Sequence, residues 1–214
     1  MRAIGISWVD LFIAILVVCG IVRGRKRGMS EELLDLIKWP MILVLAAILY
    51  KPGGEFLSRV SIFSLLASYL FVYLGIVAII FGIFAYIRAR VGGKLTGSDT
   101  FGGAEYYLGM FAGAFRYVCV ILVVMALLNA RLYTPAELRD NAAYQQDNYG
   151  SHFFFTLSDI QQEVFKESVT GKTVRKFAPV VLIQSTPPST KDLRNSRTAV
   201  RARESQLKEV LDGK

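Results

Sequence analysis

A bilayer-length apolar segment of this chain has the sequence EYYLGMFAGAFRYVCVILVVMALL and covers residues 105–128. About 20 apolar residues in a helix cross the hydrocarbon core of a bilayer, so the segment predicts a transmembrane helix. Its interior cation, Arg116, is costly at that depth unless it faces protein or water. At about 100° per residue, one face of the helix carries its small and charged side chains, namely Glu105, Gly109, Ala112, Gly113 and Arg116. We therefore predict that this face packs against other helices.

The composition of the chain is that of a membrane protein. Of its 214 residues, 53% are hydrophobic, the mean hydropathy is +0.42, and the apolar residues concentrate in the first 130 positions. The net charge is +8, but the basic residues of this part lie at the ends of apolar runs. They fit topology signals better than a nucleic-acid surface, which needs aromatic side chains on a basic face. We predict a membrane domain, residues 1–130, and an extramembrane tail, residues 131–214.

Apolar runs predict an all-α domain of four transmembrane helices, at about residues 4–22, 33–50, 62–87 and 105–128. The first is expected to stay uncleaved, because Asp10 interrupts it and no small-x-small cleavage site follows. The second is the shortest, since Asp35 and Lys38 leave only residues 39–49 uninterrupted. That length is below a full crossing, so a crossing helix and a re-entrant hairpin both remain open.

Positive charge marks the first and third connectors, through Arg23, Arg25, Lys26, Arg27, Arg88, Arg90 and Lys94. Cytoplasmic loops are enriched in lysine and arginine, so these connectors are expected in the cytoplasm. Both termini would then lie outside, together with the tail. If the second run does not cross, the tail would instead be cytoplasmic.

Small residues predict where the helices pack. In the third run they fall near one line along the helix, at Ser61, Ser64, Ser68, Gly75 and Gly82. We interpret this line as a close packing surface, or alternatively as one wall of a polar pathway. Gly109 and Gly113 form a small-xxx-small pair, which predicts a contact within the protomer or between protomers.

The tail has weaker helical signals. We predict a helix from Thr134 to about Asp147, and a second over residues 158–168 with Ser158 and Gln161 as a capping pair. Residues 180–183 fit a strand or an apolar anchor. Residues 191–211 are charged and poor in apolar positions, which predicts a solvated helix or disorder.

No constellation in the sequence predicts catalysis or a cofactor. The only histidine is His152, which stands beside three phenylalanines without a nucleophile motif. No cluster has the spacing of metal ligands, and no glycine-rich nucleotide loop is present. Cys19 and Cys119 fall in apolar helices, where cysteine is usually a small packing residue. We expect no enzymatic activity, no metal and no cofactor.

The motifs of the membrane part, in order, are Trp8-Val9-Asp10, Gly24, Arg27-Gly28, residues 31–39, and Leu108-Gly109-(x)3-Gly113-(x)2-Arg116. As a set covering about residues 5–130, they resemble the colicin V production protein (CvpA) family of bacterial inner-membrane proteins. The resemblance implies four helices, no catalytic activity, and a role in colicin V production or export and in envelope homeostasis. Glu105 departs from it, since relatives more often look like Asp there, and the tail is longer than expected.

Asp10, Glu105 and Arg116 form the intramembrane polar set predicted from the sequence. In one interpretation Arg116 pairs with Asp10 or with carbonyl oxygens and fixes the register of the helices. In the other it lines a solvated path for anions or amphiphiles.

Three functions follow as hypotheses from the sequence and the resemblance. They are a family member that supports toxin production, a channel or transporter, and a scaffold whose tail docks an envelope protein. The expected partners are the lipid bilayer, further copies in a homo-oligomer and an envelope protein, but no nucleic acid.

Overall fold

The computed structural model describes residues 7–60, 63–95, 102–134, 137–139 and 156–187. Its helices are α1 (Trp8–Val60), α2 (Leu65–Leu95), α3 (Glu105–Asn129), α4 (Leu157–Gln162) and α5 (Val169–Phe177). A π-helical turn, Glu163–Glu167, joins α4 to α5, and short 3-10 turns lie at Gly102–Ala104 and Pro179–Val181. The described residues contain no strand, only an isolated bridge between Arg131 and Thr186. The prediction of an all-α protein is confirmed.

Among the described residues, three helices are long and apolar enough to cross a membrane: α1, α2 and α3. The predicted third and fourth runs correspond to α2 and α3. The first run, from Trp8 onward, and the second run, residues 33–50, are joined in the single long helix α1. This continuity was not predicted, because the basic residues from Arg23 to Arg27 are typical of a connecting loop. In the structure they are helical.

Gly28 divides α1 into residues 8–27, which we call arm A, and residues 29–60, which we call arm B. Its φ of 76° and ψ of 171° interrupt the helix in a conformation that favours glycine. A Cβ built at Gly28 would also lie 2.7 Å from Oε1 of Glu105. The backbone conformation therefore requires glycine here, and an added side chain would also displace the carboxylate of Glu105.

Arm A and α3 run antiparallel and touch through their backbones. Gly20 faces Gly113, and Gly24 faces Gly109, so closely that an added Cβ at either arm A position would overlap the opposite carbonyl oxygen. Gly28 continues the same row at the first residue of α3, Glu105. Contact at this distance is what small residues permit between membrane helices.

Arm B runs in the opposite direction, parallel to α3. Near its start, the backbone N of Ser30 lies 2.7 Å from Oε1 of Glu105. Twenty residues on, the hydroxyl of Tyr50 accepts a hydrogen bond from the backbone N of Gln184, in the tail segment that also contacts Asn129 at the end of α3. The chain therefore reverses at Gly28 and forms a helical hairpin within α1.

One face of α2 packs against arm B. Tyr69 forms an edge-to-face ring pair with Tyr50 at 5.5 Å, and Phe81 forms one with Trp39 at 5.4 Å. Because the residue numbers increase along one helix as they decrease along the other, the two are antiparallel. The opposite face of α2 is apolar and exposed, as at Ile79, and suits lipid tails.

The predicted close packing along the third run differs from the structure. Ser68 is fully buried, but a Cβ added at Gly75 or Gly82 would meet nothing within 4 Å. The reason is that α2 contacts arm B through large residues, such as Tyr69 and Phe81, and the two glycines lie away from this contact. Ser64 is exposed, and Ser61 lies outside the described residues.

We expect Gly75→Leu and Gly82→Leu to leave the free energy of unfolding of the protomer unchanged within about 0.5 kcal/mol, because open positions tolerate substitution. Unfolding of the purified variants in detergent, monitored by circular dichroism, measures this. A variant that fails to fold would show that these glycines are covered, for example by a second copy of the chain.

Residues 156–187, which we call the cap, cover one end of α1 and α3. The side-chain N of Gln161 donates to the backbone oxygens of Leu128 and Arg131 at 2.6 and 2.7 Å. The Ser7 hydroxyl at the start of α1 donates to Glu163 at 2.6 Å. The N-terminus of α1 and the C-terminus of α3 are thus held at the same end.

The first helix of the cap differs in two details from the helix predicted there. The helix predicted over residues 158–168 is α4 followed by the π-helical turn. Its capping pair is Thr156 with Asp159, which bond reciprocally, and not Ser158 with Gln161, because the N-cap lies two residues earlier than predicted.

Other tail predictions are met in part or fall outside the described chain. In the apolar segment 180–183, Val180 is exposed whereas Leu182 and Ile183 are buried against the helices, and the segment is no strand. Most of the helix predicted from Thr134, with His152 and residues 191–211, lies outside the described residues.

Candidate functional site

The strongest polar feature of the membrane helices is an ion pair between α3 and arm B. Nη1 of Arg116 lies 2.6 Å from Oε2 of Glu32 and 3.0 Å from Oδ2 of Asp35. The three residues are 7%, 0% and 6% exposed, respectively. Because charges in an apolar surrounding are costly unless paired, each side of this contact depends on the other.

Two further cations complete what we call the charge cluster: Arg27, Glu32, Asp35, Lys38 and Arg116. Nη1 of Arg27 lies 3.4 Å from Oε1 of Glu32, and Nζ of Lys38 lies 2.6 Å from Oδ1 of Asp35. Lys38 also lies 4.6 Å above the ring of Phe81 on α2. The cluster therefore connects arm A, arm B, α2 and α3.

The partner predicted for Arg116 is wrong. Arg116 pairs with Glu32 and Asp35, whereas Asp10 lies at the capped end of α1 and binds the tail. The sequence does contain a signal for the observed pair. Glu32 and Asp35 are three residues apart, which places both carboxylates on one helix face, and Arg116 needs a buried anion. From the sequence, Asp35 is instead predicted only to interrupt the second apolar run.

Glu105, the second member of the predicted polar set, binds the start of arm B. Its Oε1 accepts a hydrogen bond from the backbone N of Ser30 at 2.7 Å. A carboxylate is favourable at a helix N-terminus, where backbone N–H groups lack partners. Its Oε2 is buried without a hydrogen bond from any described residue. Glu105 thus fixes the reversal at Gly28 and is not part of the charge cluster.

Asp10, the third member, caps helix α5 of the tail. Its oxygens accept hydrogen bonds from the hydroxyls of Ser168 and Thr170 at 2.8 and 2.7 Å. They also accept from the backbone N of Val169 and Thr170 at 2.9 and 3.0 Å. These four donors from the cap, together with the helix N-terminus, favour the ionised form. Asp10 therefore anchors the cap to arm A.

We predict that Asp10→Asn weakens this anchoring by about 1–2 kcal/mol, the usual value of a capping side chain, because the amide lacks the charge and one acceptor. Hydrogen exchange of residues 156–187 should then be faster. Glu167→Gln is the matched control, since it removes one exposed negative charge from the cap. Unchanged exchange in Asp10→Asn would contradict the anchoring role.

The glycines of the helix contact lie on two helices. Gly109 and Gly113 of α3 pack inside the protomer, against the arm A glycines Gly20, Gly24 and Gly28. Gly20 was missed from the sequence, although its spacing of four to Gly24 and again to Gly28 repeats the pattern on α3.

Most of the basic residues that were predicted to set the topology are exposed, but one of them is part of the charge cluster. Arg23, Arg25 and Lys26 are exposed at the end of arm A, whereas Arg27 belongs to the charge cluster. Arg88 and Arg90 are exposed toward the end of α2. Lys94 belongs to α2, but its side chain is outside the described part. The connectors at the uncapped end are therefore more basic than the end of arm B that leads into α2, which has Lys51 and Arg59.

The reactive side chains in the described ranges do not converge. No group of three or more histidine, cysteine, aspartate and glutamate residues there could hold a metal ion. Cys19 is exposed on arm A and Cys119 is buried in α3, both as free thiols. The carboxylates of the charge cluster are occupied by cations.

The long apolar helices and their buried ion pairs define a multi-pass helical membrane protein. The chain belongs to the colicin V production protein family, whose model matches residues 9–145. The resemblance seen in the sequence is thus confirmed, and this family links the chain to a membrane role in toxin production. No curated protein and no solved structure matches the chain.

Proposed function

We propose that this protein is a non-enzymatic component of the bacterial inner membrane that supports the production or export of a toxin and envelope homeostasis. The observation that carries the proposal is the family match over residues 9–145, which includes the whole charge cluster. The geometry adds a mechanism: paired charges and glycine contacts hold a fixed bundle that presents the cap as a docking surface.

The proposed membrane arrangement has four crossings: arm A, arm B, α2 and α3. The reversal at Gly28 and the return of Tyr50 to the capped end support two crossings within α1. The exposed cations at the uncapped end favour the cytoplasm for that end. Both termini and the cap then lie in the periplasm.

Cysteine labelling tests this arrangement. In a chain with Cys19 and Cys119 replaced by alanine, Lys176→Cys places one exposed thiol in the cap, and Arg23→Cys places one at the opposite end. We expect a membrane-impermeant reagent to label the first in intact cells and the second only after lysis. The reverse pattern would contradict the proposed orientation.

Complementation tests the function. In a strain that lacks this protein and carries a colicin V system, the amount of secreted toxin is measured as killing of an indicator strain. We expect the intact chain to restore secretion, and a chain ending at residue 130 to remain in the membrane without restoring it, because the cap would carry the partner surface. Failure of the intact chain to restore secretion would overturn the proposal.

A second candidate function is a pathway for anions or amphiphiles. It is favoured by the charge cluster, whose three cations exceed its two carboxylates and leave a formal positive charge within the bundle. In this case Arg116 would release its carboxylates during passage of a solute. Flux through reconstituted protein distinguishes the two functions.

A further inference from the structure

A groove opens at the uncapped end between arm A and α3. Its polar lining consists of Arg25 and Lys26 from arm A and Tyr106 and Tyr107 from the first turn of α3. Its apolar lining consists of Ile21, Val22 and Met110. With a volume of ≈ 740 Å³, the groove is within the range of ligand sites in proteins.

The two cations of the groove are not used by the fold. Arg25 and Lys26 are exposed and make no ion pair with a carboxylate of a described residue, whereas the next residue, Arg27, binds Glu32. Tyr106 and Tyr107 are also largely exposed, at 60% and 76%. The groove therefore presents two unneutralised positive charges and two phenol groups to its surroundings.

The apolar and polar linings are ordered along the membrane axis. Ile21 and Val22 lie one turn before Arg25 and Lys26 on arm A, and Met110 lies one turn after Tyr106 on α3. Since the two helices are antiparallel, all three apolar residues lie on the side toward the middle of the membrane. Tyrosine and basic residues at the rim are typical of the headgroup level of a bilayer.

We propose that this groove binds one anionic phospholipid, with its phosphate between Arg25 and Lys26 and an acyl chain along Ile21, Val22 and Met110. A free phosphate would use the cations but not the apolar half. A second copy of the chain would bring the same positive charges and repel them. An anionic amphiphile is complementary to both parts, and basic residues near a membrane surface attract such lipids.

The test measures lipid binding to the intact protein in detergent by native mass spectrometry, with phosphatidylglycerol and phosphatidylcholine as probes. We expect the protein to retain phosphatidylglycerol preferentially, and Arg25→Gln with Lys26→Gln to weaken its binding about thirtyfold, from the attraction of two cations. The matched control, Arg23→Gln with Arg90→Gln, removes two exposed cations from the same end outside the groove and should keep the wild-type affinity. Tyr106→Phe with Tyr107→Phe should weaken binding to a smaller extent.

Several results would overturn the proposal. An equal loss in the control pair would mean a general attraction of surface charge. Equal binding of phosphatidylcholine would mean that the groove does not recognise the anionic headgroup. Competition by soluble glycerophosphate at the same concentration would mean that it does not recognise the acyl chain. A change in self-association without a change in lipid retention would make the groove a contact between copies. Each variant is compared only after it elutes as the wild-type protein does.

Discussion

The variant Arg116→Ala is expected to lose about 3 kcal/mol of its free energy of unfolding, the lower end of the cost of breaking a buried ion pair from one side. Glu32 and Asp35 would remain buried, and one carboxylate oxygen of each would lose its cation. The loss is at the lower end because Arg27 and Lys38 still pair with these carboxylates. Unfolding in mixed micelles with increasing sodium dodecyl sulfate measures the difference.

Two further variants separate the charge from the loss of volume. Arg116→Lys should retain part of the stability, because it keeps the positive charge but an ammonium group is more strongly hydrated than a guanidinium and costs more to bury. The triple variant Arg116→Ala, Glu32→Gln and Asp35→Asn should be more stable than Arg116→Ala alone if unpaired anions cause the loss. If Arg116→Ala is as abundant and as stable as the wild type, the ion pair has no structural role.

The variant Gly113→Leu is expected to destabilise the bundle by about 3 kcal/mol or more, at the upper end of overpacking effects. A Cβ at this position would overlap the carbonyl oxygen of Gly20 and lie 2.9 Å from Cα of Gly24. These are backbone atoms, which cannot move aside as a flexible side chain can. Arm A would have to separate from α3 along the whole glycine row.

The matched control for Gly113→Leu is Gly75→Leu, which adds the same side chain to a membrane helix at an open position. We expect normal membrane levels for the control and little folded protein for Gly113→Leu, measured by immunoblotting and by fluorescence-detected size exclusion. Equal levels of the two variants would show that arm A and α3 do not touch at this row.

The individual membrane helices could be predicted from local sequence. The contacts between these helices could be predicted only in part. The run over residues 105–128 predicts α3 almost to its last residue, because length and hydropathy are properties of the segment alone. The small-residue face of α3 is also buried, as periodicity predicts. Which helix covers that face depends on the rest of the chain, and the row at Gly20 and Gly24 was not recognised.

The predicted pairing of Arg116 with Asp10 is wrong for the same reason, since it depends on contacts between distant segments of the chain. A helical projection shows that Arg116 needs a partner, but it does not show which of the acidic residues on other helices reaches it. Asp10 and the Glu32–Asp35 pair are both compatible with Arg116 by sequence. The fold decides between them, since the N-terminus of α5, 158 residues from Asp10, satisfies that carboxylate. A contact over this separation has no local signal.

We infer that the ion pairs of the charge cluster hold the helices together and do not line a pathway. Solute release from liposomes is the most direct test of this inference. Purified protein is reconstituted in liposomes loaded with a small anion or an amphiphile, and Arg116→Lys, which keeps the charge, is compared at equal incorporation. If Arg116 is held in its ion pairs, release will not exceed that from empty liposomes for any solute or either protein. If the wild type releases solute and Arg116→Lys releases less, the purely structural role of the ion pairs is contradicted and a pathway lined by Arg116 is established.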